Sequence, residues 1–238
     1  MMNFRRVAVP ALLALCILTN TVSAQYYESR EYRPADFRAI TGGVTAIDFQ
    51  PRSNIGSADS ANIRFHTLMP MLSFRQGLVE IQFGYTRYSQ KDVTNPVVFV
   101  GMNVGTDLPL SGNRSSALVL PVLFAANFTR ADASGPARNS FNIASVGLGM
   151  GLKYRIVSES LDAWLSTIAV AHYSTQGFSV NSGFSGAILA DLAFYFPAIP
   201  VGDGLCAGYR FRYETWSMPS TNFNYRMIFH GPYIGIAF

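Results

Sequence analysis

Between Leu78 and Ser89 the chain reads LVEIQFGYTRYS. Val79, Ile81, Phe83 and Tyr85 fall on one side of an extended strand, and Glu80, Gln82, Gly84 and Thr86 on the other. Successive side chains of a strand point to opposite faces, so eight residues segregate cleanly at a period of two. A helix would scatter them around its axis. The same alternation returns between Leu205 and Trp216, where Leu205, Ala207, Tyr209, Phe211 and Tyr213 oppose Gly208, Arg210, Arg212 and Glu214. It returns again between Asn142 and Ile156, with Val146, Leu148, Met150, Leu152 and Tyr154 against Ser145, Gly147, Gly149, Gly151, Lys153 and Arg155. A row of glycines on one face suits a narrow interior or a bend.

Seven further segments read as strands: 39–49, 62–74, 97–105, 117–129, 162–173, 183–196 and the last stretch, 225–238. The count is ten, or eight if 97–105 is a loop and one other segment is misassigned. Polar stretches rich in Gly, Ser, Asn and Pro separate them. Nearly half of the residues, 49%, are hydrophobic, yet charged residues make up only 13%, about half the usual share for a soluble domain. No run approaches the roughly twenty apolar residues that a membrane helix needs. Low charge, many glycines and aromatics, and alternation without long apolar runs predict an all-β chain: an antiparallel transmembrane β-barrel.

The first 24 residues predict a cleaved signal peptide. Arg5 and Arg6 precede the apolar run Val7 to Leu18, and Val22-Ser23-Ala24 supplies small residues ahead of a cut before Gln25. Residues 25–37 (QYYESREYRPADF) read as a polar leader, and 38–238 as the barrel. The mature chain is then 214 residues (238 less 24), one domain by size. It carries 16 basic and 14 acidic residues once Arg5 and Arg6 are gone, so nothing points to nucleic acid. Only Cys206 survives processing, which rules out an intrachain disulfide.

The chain ends YRMIFHGPYIGIAF, with Ile234, Ile236 and Phe238 on one face. This ending resembles the C-terminal assembly signal of bacterial outer-membrane β-barrels. The resemblance implies a cleaved export signal, insertion by the barrel assembly machinery, and residence in a Gram-negative outer membrane among its lipids and lipopolysaccharide. It also implies periplasmic turns at Arg75–Gly77, 107–114, 157–160 and 197–203, and external loops near 51–61, 90–95, 130–140, 175–182 and 217–224. Simple alternation from Phe238 would turn His230 and Arg226 toward lipid. A bulge at Gly231-Pro232 is therefore expected, to bring them inward and to send Met227 and Phe229 outward. Tyr88, Tyr154, Trp164, Tyr195, Tyr209, Tyr213 and Phe238 lie near strand ends and are expected to form interfacial girdles.

Two groups of residues could carry function. Glu80, Lys153, Arg155, Asp191, Arg210, Arg212 and Glu214 lie on the faces expected to point inward. They form either a paired network that fills the lumen or the constriction of a narrow solute pore. The chain is similar in kind to small opacity and porin-like barrels, whose roles are structural or lie at the surface. The second group is His172-Tyr173-Ser174-Thr175, expected at the outer rim. It resembles the His-x-Ser-Asn of outer-membrane lipid A deacylases, which implies an alternative role as a lipid A acyl hydrolase using His172 and Ser174. Thr175 stands where that family has Asn, and Ser185 and Gly186 occupy the stretch where its acid should be. Asp191 lies about 20 Å too deep at the usual rise per residue. The paired Asp and Asp-His of outer-membrane proteases, also ten-stranded, find no counterpart in the isolated Asp92 and Asp132. His66 and His230 could meet inside the barrel, but two histidines alone make a poor metal site. No metal or other cofactor is expected.

Overall fold

A computed structural model describes residues 38–52, 63–90, 92–113, 115–132, 140–176, 182–197, 199, 201–218 and 223–238. The signal-peptide and leader segments, 1–24 and 25–37, lie outside the described residues, as do most of the expected external loops. Ten strands follow in order: β1 (Arg38–Pro51), β2 (Phe65–Gln76), β3 (Val79–Gln90), β4 (Val93–Gly112) and β5 (Ser116–Ala131). Then come β6 (Phe141–Val157), β7 (Asp162–Gln176), β8 (Ser182–Phe196), β9 (Gly204–Met218) and β10 (Phe223–Ala237). Each pairs antiparallel with its chain neighbours, and β1 closes on β10. Ile40 lies opposite Ile236 and Phe49 opposite Met227 at this seam, and the Phe238 amide donates to the Arg38 carbonyl at 2.9 Å. No edge is left unpaired, which is the condition for a sheet to sit in hydrocarbon.

Strands of 12 to 20 residues are ample, since about 9–11 tilted residues cross a bilayer. The end carrying Arg38 and Phe238 has the turns after β2, β4, β6 and β8, and is called the termini end here; the opposite is the far end. At the termini end Gly77 takes a left-handed φ of 55° in a two-residue turn between β2 and β3. At the far end the expected loop at 90–95 shrinks to a tight turn around Asp92, with φ 62°.

Burial is inverted relative to a soluble protein. Leu148, Met150 and Leu152 are 52%, 62% and 56% exposed on the outer wall, whereas Glu214 is 0% and Arg212 6% exposed inside. Apolar side chains ring the outside on all ten strands, as lipid requires. We expect Leu148→Arg, at the middle of β6, to cost about 2–4 kcal/mol, and Ala163→Arg, near the termini end of β7, about 0–1 kcal/mol. Denaturant unfolding of the barrel in liposomes measures both; equal costs would mean that this wall does not face a bilayer.

Three expectations change. No bulge interrupts β10: its pairing with β9 runs through Gly231-Pro232, and its register with β1 is the same on both sides of them. Arg226 and His230 therefore face outward, and Met227 and Phe229 are buried inside. Each outward polar group is partnered. Tyr209 Oη lies 2.7 Å from His230 Nδ1, and Arg226 Nη2 donates to Gln50 Oε1 at 2.9 Å. Of the expected girdle, Tyr154, Tyr209, Tyr213 and Phe238 do face outward, but Tyr88, Trp164 and Tyr195 point into the barrel. Lastly, β4 continues past 105 to Gly112, with a register shift between Pro109 and Ser111, and so carries Asp107 into the lumen wall.

Candidate functional site

The lumen is organised in three levels. At the termini end it opens as a charged vestibule around a cavity of about 130 Å³. Lys153, from β6, donates to Asp107 on β4 at 2.6 Å. Arg210, from β9, donates to Glu80 on β3 at 2.6 Å and lies 3.9 Å from Asp191 on β8. Trp164 Nε1 and Tyr233 Oη both donate to the Asp191 carboxylate, at 3.2 and 3.0 Å. Arg155 forms a two-pronged pair with Asp162 across β6 and β7. The indole of Trp164 has Arg75 and Lys153 5.1 and 5.4 Å from its ring centre. Glycine makes room for the side chains: a Cβ on Gly208 would overlap the Tyr233 hydroxyl.

The middle level is a compact buried cluster. Arg212 places Nε 2.9 Å and Nη2 2.7 Å from Glu214 Oε2, and Asn127 Nδ2 donates to Oε1 at 3.2 Å. His172 Nδ1 lies 3.7 Å from the same Oε1, too long for a hydrogen bond. Gly147 opposite is what admits the imidazole, since a Cβ there would lie 2.5 Å from His172 Cδ2. Neither ring nitrogen of His172 has a hydrogen-bond partner. Ser174 Oγ sits in a hydroxyl chain, 2.6 Å from both Ser145 Oγ and Ser185 Oγ.

The far level is apolar. Phe49 stacks on Tyr225 at 4.9 Å and on Phe65 at 5.2 Å, and meets Phe141 edge-on at 4.9 Å. Phe141 meets Trp216 edge-on at 5.0 Å, Phe65 stacks on Tyr88 at 4.2 Å, and Phe99 leans on Phe229 at 5.0 Å. Ile47, Ile63, Met69, Ile143 and Met227, all 0% exposed, fill the gaps. These side chains come from seven of the ten strands, and together they plug the far half. Arg212 joins the two levels by lying 5.0 Å from the centre of the Phe99 ring.

The structure thus places all seven charges singled out in the sequence inside the barrel, and adds Arg75, Asp107 and Asp162. The vestibule and middle level hold five basic and five acidic side chains, so the lumen is close to neutral. His172 and Ser174 share a face as expected, but that face is the lumen and not the rim; they are 1% and 0% exposed. A carboxylate that the local sequence lacks comes near from β9, where Glu214 stops 3.7 Å from the imidazole without a hydrogen bond. What is missing is access and a hydroxyl: Ser174 is sealed beneath the aromatic plug and spends its bonds on Ser145 and Ser185. His66 and His230 do not meet, because both are on the outer wall, on β2 and β10, with β1 between them. Ile234, Ile236 and Phe238 line the outer wall of β10 at the termini end.

No family model and no curated protein matches the chain. Among solved structures it is similar to Neisserial surface protein A, at 11% identity and TM-score 0.31, over 84% of this chain and 97% of that one. It is similar to the outer membrane protease OmpT of Escherichia coli at 9% identity and TM-score 0.37, over 86% and 97%. It is also similar to Ail, the attachment invasion locus protein of Yersinia pestis, at 9% identity and TM-score 0.21, over 85% and 99%. At these values the fold rests on this chain's own closed register, not on the likeness.

Proposed function

We propose that the protein is a bacterial outer-membrane barrel that is closed to solutes and acts through its surfaces, in a structural or surface-interaction role. The observation that carries this reading is the aromatic plug. Its ring centres lie 4.2–5.2 Å apart in contacting pairs in the far half of the lumen, and the side chains are almost wholly buried, which supports a closed lumen. The balanced charges beneath it support the same reading, since each cation at the middle level and in the vestibule lies against a carboxylate or an aromatic face. A lumen filled in this way stiffens the wall and offers no net charge to draw ions of either sign into it.

The test is electrical. Purified barrel in a planar bilayer should give no conductance steps above the lipid baseline, and fractionated cells should carry the protein with the outer membrane. Regular steps from the unaltered protein would instead favour the narrow pore.

A further inference from the structure

The outer wall is not uniform at its two ends. At the far end five arginines point away from the lumen: Arg52, Arg64, Arg87, Arg130 and Arg226, all exposed. The alternation fixes their direction. Arg64 lies between the buried Ile63 and Phe65, Arg130 between Thr129 and Ala131, and Arg226 between Tyr225 and Met227. They belong to β10, β1, β2, β3 and β5 or the residues just beyond them, one continuous arc of the wall. The arc spans about 24 Å at about 4.8 Å per strand. The other arc, β6 to β9, presents no charged side chain on its outer far half among the described residues.

Acids do not cancel the arc. Asp48, Asp92 and Asp132 stand at the same end. Asp132 holds Arg130 at 2.8 and 3.1 Å, and Asp48 accepts the Gln50 amide at 2.6 and 2.8 Å. Among the described residues, five arginines against three carboxylates leave the arc positive. At the termini end the exposed charges described are Arg38, Glu159 and Asp203, which are net negative. Two of the arginines are held along the wall by a single nitrogen each: Arg87 Nε donates to Tyr85 Oη at 3.0 Å and Arg226 Nη2 to Gln50 Oε1 at 2.9 Å.

Arginines at the edge of a lipid-facing band keep their stems in the apolar zone and their guanidinium groups at headgroup depth. There the planar fork matches a phosphate with two parallel hydrogen bonds. We propose that this arc binds the phosphate groups of a phosphorylated glycolipid of the lipid A type in the leaflet around the far end. The inference rests on the outer-membrane placement proposed above. It agrees with the expected orientation, far end outward, and adds one specified lipid contact on one side of the barrel.

Titration of the full-length processed barrel in detergent tests it, with three probes: bisphosphorylated lipid A, chemically dephosphorylated lipid A, and phosphatidylglycerol. The readouts are the unfolding midpoint and the lipid retained in native mass spectra. Bisphosphorylated lipid A should bind at least tenfold more tightly than either of the other two. Arg64→Gln/Arg87→Gln/Arg226→Gln should lose at least tenfold, and Arg38→Gln at the other end should bind as the unaltered protein does. Equal binding of dephosphorylated lipid A or of phosphatidylglycerol overturns the proposal, as does a folded triple variant that keeps full affinity. If the triple variant does not fold, the three-lipid comparison on the unaltered protein still decides. Failure here would leave the closed barrel standing, because conductance tests that separately.

Discussion

Glu214→Ala should destabilise the barrel by about 3–5 kcal/mol, the usual cost of leaving one member of a buried ion pair without its partner. Glu214 is 0% exposed and takes both contacts of Arg212, the Asn127 amide and the approach of His172. Removing it leaves a largely buried guanidinium, between the vestibule and the plug, without its carboxylate. Arg212→Met/Glu214→Leu removes both charges and fills the space with apolar atoms. It should lie much closer to the unaltered protein, because such replacements are often neutral. Denaturant titration followed by the gel mobility of the folded barrel measures the difference. A loss below about 1 kcal/mol for the single variant would mean that water reaches Arg212 and that this layer is not sealed.

The strands of this barrel are largely legible in its sequence, because lipid outside and polar groups inside impose opposite demands on alternate residues. β3 from Val79 to Thr86 and β9 from Ala207 to Glu214 obey both demands, so their faces can be assigned there without coordinates. The reasoning fails where the interior is apolar too. In the far half of β10, Tyr225, Met227 and Phe229 point inward, although lipid would have taken them equally well. Reading apolar as outward there forces a bulge at Gly231-Pro232 that the register does not contain. Tyr88 and Trp164 mislead for the same reason. An aromatic near a strand end fits an interfacial girdle, but it fits a plug or a vestibule wall as well.

The candidate site was legible as a set of charges but not as contacts. Alternation puts Arg210, Arg212 and Glu214 inside without saying what faces them. Asp107 was hidden because Pro109 and the Gly112 turn make the end of β4 read as a loop. The approach of Glu214 to His172 joins β7 to β9 across β8, and it depends on the pairing of three strands, in which His172 stands level with Trp216 and Glu214 one inward position nearer the termini end. Sequence spacing offers His172 no acid and sets Asp191 aside as too deep, and in the structure Asp191 belongs to Arg210, Trp164 and Tyr233.

Opening the plug should convert the closed barrel into a conducting one. Phe49, Phe141 and Trp216 sit at its centre, each 0% exposed, and Phe141 touches both of the others. Truncating a buried Phe or Trp to Ala costs about 3–5 kcal/mol, but three contacting residues share one cavity, so the costs should not add. The hydrogen-bonded wall in lipid should keep the triple variant Phe49→Ala/Phe141→Ala/Trp216→Ala folded, with lowered stability. Water would then reach the Arg212–Glu214 layer from the far end, as it reaches the vestibule from the termini end. Small conductance steps should follow, limited by that remaining layer. Phe83→Ala/Phe124→Ala/Phe211→Ala removes as many rings from the lipid-facing wall and should stay silent. If the plug variant folds and remains silent as well, the seal lies elsewhere in the lumen. If the lipid-facing variant conducts equally, the steps reflect a loosened wall, and the aromatic plug is not what closes this barrel.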